Sequence, residues 1–89
     1  MNEPVTRYLV MLMRRPGFDP SLVGPHTAFL DELRARGLLE MSGGFGDRSG
    51  GAYILTGIDS VEPAREIAGR DPLVIQGASD LAVHEWNTR

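Results

Sequence analysis

The sequence contains no cysteine among its 89 residues. This absence excludes a disulfide framework, a zinc site built on thiolates and a cysteine nucleophile. The fold must therefore be held by apolar packing, for which a hydrophobic fraction of 42% is sufficient. A chain of this length forms one domain, residues 1–89, and buries a limited area by itself. Association with a second copy is a common way to extend so small a core.

The sequence also lacks an excess of positive charge. Its net charge is −3 and its isoelectric point is near 5.2. The nine basic residues are scattered, and Arg14 and Arg15 form the one adjacent pair. A protein that binds nucleic acid concentrates such residues on one face, and an anionic membrane surface also attracts basic clusters. We therefore expect neither nucleic acid nor a membrane as a partner.

Long hydrophobic runs are missing as well. The longest apolar run, residues 8–13, is far too short to span a bilayer. Residues 1–6 do not have the pattern of a signal peptide. These features predict a protein of the cytoplasm.

Apolar segments and breakers alternate along the chain and predict six elements. Pro25 suits a first helical turn, Gly37 suits a helix end, and Asp59 with Glu62 has the spacing of a capping box. The predicted elements are a strand at 7–14, a helix from Pro25 to Gly37, strands at 38–42 and 52–58 around a hairpin loop at 43–51, a helix from Asp59 to Asp71-Pro72, and a strand at 80–86.

The resulting order βαββαβ predicts a ferredoxin-like α+β domain, with strands one and three central and both helices on one face of the sheet. The strand at 7–14 has apolar residues on both of its faces. The helices can cover one of these faces. A second subunit is the economical cover for the other, so we predict a homodimer.

In this topology the start of the first helix, the hairpin and the end of the second helix lie at one end of the sheet, called here the upper end. His26 belongs to the first of these segments and Asp71 to the third. His26 shares a helical stripe with Leu30 and Leu33, so its ring is expected to point toward the sheet. Imidazole exchanges protons near neutral pH, and a neighbouring carboxylate fixes its tautomer. The two residues are therefore a candidate acid–base pair.

Both residues also have ordinary structural roles open to them. An inward-facing histidine is more often a hydrogen-bonded structural residue than a catalytic one. Aspartate before Pro72 is a good N-cap for the turn that follows. The residues alone leave these alternatives open.

The order and spacing of several short segments resemble the YCII-related proteins. The segments are Tyr8-Leu9-Val10, Pro25-His26 with Phe29-Leu30 and Leu33, Gly37-Leu38-Leu39, Ser42-Gly43, Gly50-Gly51, the helix at 61–68 and Asp71-Pro72, and they extend over residues 7–86.

This resemblance implies a dimeric α+β barrel in which two sheets pack face to face. It also implies an active site made of a histidine at the start of helix one and the aspartate of the Asp-Pro motif, which are His26 and Asp71 here. One relative acts as a dehydrochlorinase in the degradation of chlorinated aromatics, and the fold is shared with muconolactone isomerases. The residue after Asp-Pro is often phenylalanine in the family and is Leu73 here, so the pocket is expected to differ in shape.

We therefore predict a small cofactor-free enzyme in which His26 and Asp71 transfer protons on a small organic acid or an aromatic-derived substrate. Isomerisation and elimination of the dehydrochlorinase kind need only this pair and a dry pocket. Tyr8, Ser42 and Phe45 are predicted to contribute to substrate binding, Phe45 as part of a partial lid. A core tyrosine and a strand-end serine are the structural alternatives for Tyr8 and Ser42.

No cofactor and no metal site are predicted. No flavin, nicotinamide or haem motif is visible, and His26 and His84 are the only two histidines. The alternative function is a non-catalytic, dimeric binding module for a small ligand, or an accessory domain of a larger partner. A His26 that does not face Asp71 in an enclosed cavity would favour that alternative.

Overall fold

The first strand is longer than the sequence predicts. The structure is a computed structural model that describes residues 3–89, and β1 spans Val5–Arg14. It pairs in antiparallel fashion with β3, Gly50–Leu55, and with β4, Ser79–Thr88. β2, Leu39–Gly44, completes the sheet beside β3. The strand order β2-β3-β1-β4 confirms that strands one and three are central.

The first helix, α1, spans Val23–Ala35 and begins two residues before the predicted Pro25. A 3₁₀ turn at Pro20–Leu22 leads directly into it. Asp19 Oδ1 accepts the Ser21 N–H at 2.9 Å and so caps this turn. The 3₁₀ turn therefore continues directly into the helix, so the helix starts before Pro25. Helix-breaking residues alone do not predict this start.

The predicted helix end at Gly37 is confirmed. Gly37 has φ 74°, a left-handed conformation that glycine adopts without steric cost. The Leu38 N–H donates to Leu33 O, and the Gly37 N–H donates to Arg34 O, both at 3.0 Å. This is the Schellman arrangement, which satisfies the last carbonyl groups of a helix.

The second helix, α2, spans Val61–Ala68, and the predicted capping box is wrong. Ser60 is the N-cap and is fully extended, so the helix starts two residues after Asp59. Glu62 pairs instead with Arg65 at 2.6 Å. A one-turn helix, α3, follows at Pro72–Ile75. No helix within residues 3–89 has the length and apolarity needed to cross a membrane.

The hairpin loop is shorter than the predicted 43–51. Residues 43–44 belong to β2 and residues 50–51 to β3, so the loop consists of residues 45–49. A Cβ atom at Gly51 would lie 2.6 Å from Gly43 O, and one at Gly50 would collide with the backbone of β1. These two glycines are therefore required by close backbone approach rather than by flexibility.

The helices cover one face of the sheet. Tyr8, Val10 and Leu12 of β1 are buried on that face. The apolar core consists of these three residues with Leu30, Leu33, Leu39, Tyr53, Leu55, Ala64, Ala68, Leu73 and Ala78.

The other face has no cover in the isolated chain and is called here the open sheet face. It carries Leu9, Met11 and Met13 of β1, because successive residues of a strand point to opposite sides. Ile54 lies opposite Leu9, and Ala52 lies opposite Met11. The open sheet face is thus apolar along its central strands.

We predict that alanine is tolerated at Gly46 and not at Gly51. The Gly51→Ala variant must displace backbone, which should lower the free energy of unfolding by about 1–3 kcal/mol. A Cβ atom at Gly46 meets nothing within 4 Å, so Gly46→Ala should stay within about 0.5 kcal/mol of the wild type. Urea unfolding at a fixed protein concentration measures both. Equal losses in the two variants would contradict this account of the hairpin.

Candidate active site

A cavity of about 300 Å³ lies at the upper end of the sheet. The end of β1, one side of α1, the paired ends of β2 and β3, α3 and the start of β4 all contribute to its wall. The residues that line this upper cavity are Leu12, Arg14, Phe18, Val23, His26, Thr27, Leu30, Asp31, Arg34, Ser42, Gly43, Gly44, Gly50, Gly51, Ala52, Tyr53, Leu73 and Ser79. Segments that are distant in sequence therefore converge here, as the chain direction in a βαββαβ fold requires.

His26 is held in the wall of the upper cavity by α1. It lies on the helical stripe of Leu30 and Leu33, which are both buried. Its Nδ1 atom is 2.7 Å from Asp71 Oδ2, and its side chain is 19% exposed. His26 thus faces Asp71 in the wall of a partly open cavity. This contact favours the acid–base interpretation over a histidine buried without a partner.

Asp71 is fully buried, and its two oxygens have different partners. Oδ1 accepts the Leu73 N–H at 2.9 Å and caps α3, while Oδ2 faces the imidazole. The sequence left open whether Asp71 caps a helix or pairs with His26. The structure shows that the two roles are compatible. Each one uses a separate oxygen of the same carboxylate.

The pairing sets the tautomer of the imidazole. An ionised carboxylate can only accept hydrogen bonds, so the proton between Nδ1 and Oδ2 belongs to the ring. A neutral His26 then presents Nε2 with its lone pair as a proton acceptor. A carboxylate behind Nδ1 also stabilises the imidazolium that forms when Nε2 accepts a proton. This geometry is suited to general base catalysis.

Two buried hydroxyl groups in the cavity wall were missed by the sequence reasoning. Tyr53 Oη and Ser79 Oγ have no hydrogen-bond partner among the described residues. Burial raises the pKa of Tyr53, and the nearby charge of Asp71 raises it further, so its hydroxyl stays protonated and can donate. An unsatisfied buried polar group costs about 1–3 kcal/mol, which makes a ligand oxygen a natural partner for such a group. The available signal was chain direction, since Tyr53 and Ser79 both lie near the starts of strands that begin at the upper end of the sheet.

Of the three predicted substrate-binding residues, only Ser42 lines the upper cavity. Tyr8 lies near the start of β1, six residues before Arg14 and therefore about 20 Å from the upper end. Its hydroxyl is 3.4 Å from a carboxylate oxygen of Glu85. Tyr53, two positions further along the ladder, takes the place in the cavity wall that was expected for Tyr8. Phe45 lies in the hairpin loop and is not part of the wall.

No metal site is predicted, and the two histidines of the chain do not lie together in the structure. His26 pairs with Asp71, whereas His84 lies opposite Leu9 on the open sheet face. Within residues 3–89, no group of three or more His, Cys, Asp or Glu side chains is arranged to hold a metal ion.

The fold defines the class of protein. The sheet order, with the helices on one face, is that of the ferredoxin-like protomer of a dimeric α+β barrel. A solved structure of this fold is the 5-chloro-2-hydroxyhydroquinone dehydrochlorinase (TftG) from Burkholderia phenoliruptrix AC1100, in complex with 2,5-dihydroxybenzoquinone. The two chains superpose with a TM-score of 0.66 at 22% identity, over 91% of this chain and 93% of that one.

The family is shown by the sequence comparisons. The model of the YCII-related domain matches residues 6–87. The uncharacterized protein YjpA of Bacillus subtilis (strain 168) is 44% identical over 82 residues, which are 92% of this chain and 95% of that protein. The chain belongs to the YCII-related family, as the resemblance of its short segments predicted.

We predict that Asp71→Asn changes the tautomer of His26. An asparagine that keeps the cap directs its Oδ1 at the Leu73 N–H and its amide N–H groups at the ring. His26 Nδ1 must then accept, so the proton moves to Nε2. The cap itself should persist, because asparagine caps a helix about as well as aspartate does.

Long-range ¹H–¹⁵N NMR spectra of the histidine rings report this tautomer directly. His84, on the open sheet face, is the internal control and should not change. An unaltered His26 tautomer in a variant of unaltered stability would contradict the division of labour between the two Asp71 oxygens.

Proposed function

We propose that the chain is a small cofactor-free enzyme in which His26 transfers a proton to and from a small organic acid or an aromatic-derived substrate. The observation that carries this proposal is the 2.7 Å contact between the buried Asp71 and His26 in the wall of the upper cavity. A general base in a fixed tautomer, beside a cavity with apolar residues in its wall, is suited to proton abstraction from carbon.

The proposed reaction begins with His26 Nε2. It removes a proton from a carbon of the substrate, and the C–H electron pair passes into the substrate. In an isomerisation the resulting enolate is reprotonated elsewhere by the imidazolium. In an elimination the same electron pair forms a C=C bond as a leaving group such as chloride departs with its bonding electrons from the adjacent sp³ carbon. A hydroxylated aromatic ring provides such a carbon only in a keto tautomer. Asp71 stabilises the imidazolium in both cases, and Tyr53 is placed to donate to a developing oxyanion.

The elimination branch has support from a protein of the same fold. The dehydrochlorinase TftG superposes on 91% of this chain, and its structure contains 2,5-dihydroxybenzoquinone. A planar ring of that size fits a cavity of about 300 Å³. We therefore include a hydroxylated, halogenated ring among the proposed substrates.

We predict that His26→Gln lowers proton transfer by about 10²–10⁴-fold, because glutamine is uncharged and is not a base at neutral pH. Two assays follow the chemistry. Chloride release from 5-chloro-2-hydroxyhydroquinone reports elimination, and ¹H NMR in D₂O reports C–H exchange in a panel of small cyclic and aromatic acids. His84→Gln is the matched control and should keep the wild-type rate.

The same experiment separates an enzyme from a binding module. A wild-type chain that binds members of the panel but neither exchanges their protons nor releases chloride would be a non-catalytic small-ligand binding protein or an accessory domain. A rate that persists in His26→Gln would contradict the proposed base.

We also propose that the chain acts as a homodimer in the cytoplasm. The dimer has the support of the open sheet face, on which Met41 is 63% exposed and Trp86 is 45% exposed. It is unfavourable to leave the apolar side chains of the open sheet face in water, and face-to-face packing of two sheets would cover them. The cytoplasmic location stays a prediction from the sequence.

We predict a mass of twice 9.7 kDa by light scattering at micromolar concentration. A charge at Met11, in the centre of the open sheet face, would be buried without a partner in the dimer, so Met11→Glu should give a folded monomer. Ile75→Glu places the same charge on α3, away from this face, at a residue that is already 64% exposed. This control should remain dimeric. A wild-type monomer, or a dimer that Met11→Glu leaves intact, would contradict the interface.

A further inference from the structure

Arg14 at the end of β1 is a cation in the wall of the upper cavity without an acidic partner. Two neighbouring arginines are neutralised, since Arg34 pairs with Asp31 at 3.2 Å and Arg15 pairs with Asp80 at 3.7 Å. Arg14 forms no ion pair within residues 3–89. The wall of the cavity therefore has one positive charge that the chain itself does not balance.

The guanidinium of Arg14, which is an exposed residue, stacks on an aromatic ring. Its central carbon lies 4.2 Å from the centroid of the Phe18 ring, which is another part of the wall. Stacking on an aromatic face leaves the edge of the guanidinium, with its N–H donors, free for an anion. Because the plane of the group is already oriented, less conformational entropy is lost when a ligand binds.

Ser79 provides a second donor beside Arg14. The two residues lie directly opposite each other in the ladder between β1 and β4, so their side chains leave the sheet on the same face. Ser79 is only 6% exposed, and its hydroxyl has no hydrogen-bond partner among the described residues. A buried hydroxyl without a partner, next to an arginine without a counter-ion, is an arrangement that a bound anion would complete.

We propose that Arg14 and Ser79 form a carboxylate subsite, which selects small monoanionic carboxylic acids as ligands of the upper cavity. A carboxylate has two acceptor oxygens in a plane, which match the guanidinium fork and leave lone pairs for the serine hydroxyl. Its single charge balances the single unpaired cation. The apolar body of such a ligand contacts Leu12, Leu30 and Leu73, with His26 in the same wall.

The carboxylate subsite rests on the proposed function in one respect only: that function determines which part of the ligand reacts. Recognition of the carboxylate is a property of binding and does not depend on turnover. It can therefore be tested even if proton transfer by His26 is never observed, and the failure of either idea leaves the other intact.

The test uses two ligands of the same shape and different charge, benzoate and benzamide, whose dissociation constants are measured by NMR titration of the dimer. We expect the wild type to bind benzoate about tenfold more tightly than benzamide, the size of effect that one charge-assisted contact supplies. Arg14→Gln should remove this preference, and Arg14→Lys, which keeps the charge and loses the fork, should keep part of it.

Arg15→Gln is the matched control, since Arg15 is the adjacent arginine, is paired with Asp80 and lies outside the cavity wall. It should retain the full preference for benzoate. Ser79→Ala removes the second donor and should weaken benzoate several-fold while leaving benzamide nearly unchanged. Circular dichroism confirms that each variant is folded.

Equal affinities of the wild type for benzoate and benzamide, including no detectable binding of either, would overturn the subsite. So would an equal loss of preference in Arg14→Gln and Arg15→Gln, which would indicate a general effect of net charge. Inorganic phosphate is the last probe. Phosphate that binds more tightly than benzoate and loses this affinity in Arg14→Gln would replace the carboxylate assignment with a phosphate site.

Discussion

Asp71 carries a carboxylate that is fully shielded from water, and a carboxylate in such a position requires hydrogen-bond donors. The fold supplies two of them from different parts of the chain. The Leu73 N–H belongs to the first turn of α3, and the His26 ring belongs to the first turn of α1. The contact between α1 and α3 is therefore a condition for burying the charge. The upper cavity takes its shape from that contact, since both helices form part of its wall.

The opposite side of the cavity depends on a different constraint, the close approach of backbones in the hairpin. Gly43, Gly44, Gly50 and Gly51 line the cavity without side chains, and two of them cannot accept a Cβ atom. Gly44 and Gly51 share the face of Tyr53, so side chains at these two positions would project toward the cavity. The glycines therefore have two effects, because they let β1, β2 and β3 pair closely and they leave volume next to the acid–base pair.

The topology and the pair could be predicted because they follow from local signals. Chain breakers and helical periodicity gave the element order, and chain direction in that order brought His26 and Asp71 to one end of the sheet. The predictions that were wrong concern features that depend on tertiary contacts. The hairpin glycines predict a loop, yet four of them pair within strands. They pair at a close backbone approach that leaves no room for side chains at two of these positions. The Asp59–Glu62 spacing fits a capping box, but the extended Ser60 shifts the helix start by two residues.

Chain direction alone separates Tyr8 from Tyr53. Both tyrosines are buried on the helix-covered face, and both are in central strands. Tyr8 lies near the start of β1, far from the upper end, whereas Tyr53 follows the hairpin and lies close to it. The register between β1 and β3, with Val10 opposite Tyr53, adds the face on which the Tyr53 ring leaves the sheet, and register is set by the whole ladder rather than by a local pattern.

The structure requires an aspartate at position 71 whether or not the protein catalyses a reaction. Its two neighbours, a backbone N–H and a ring N–H, are both donors, and a carboxylate is the side chain of this length that offers two acceptors. The presence of aspartate is therefore insufficient evidence for catalysis. Function is indicated instead by groups that surround the pair and that folding does not require. The ring engages Asp71 through Nδ1, which leaves Nε2 for a ligand. Among the described residues, two buried hydroxyls in the same wall have no hydrogen-bond partner and one cation has no acidic partner. A purely structural site would have lost these unsatisfied groups at no cost to the fold, and a site that binds an oxygen-bearing ligand has a use for all of them.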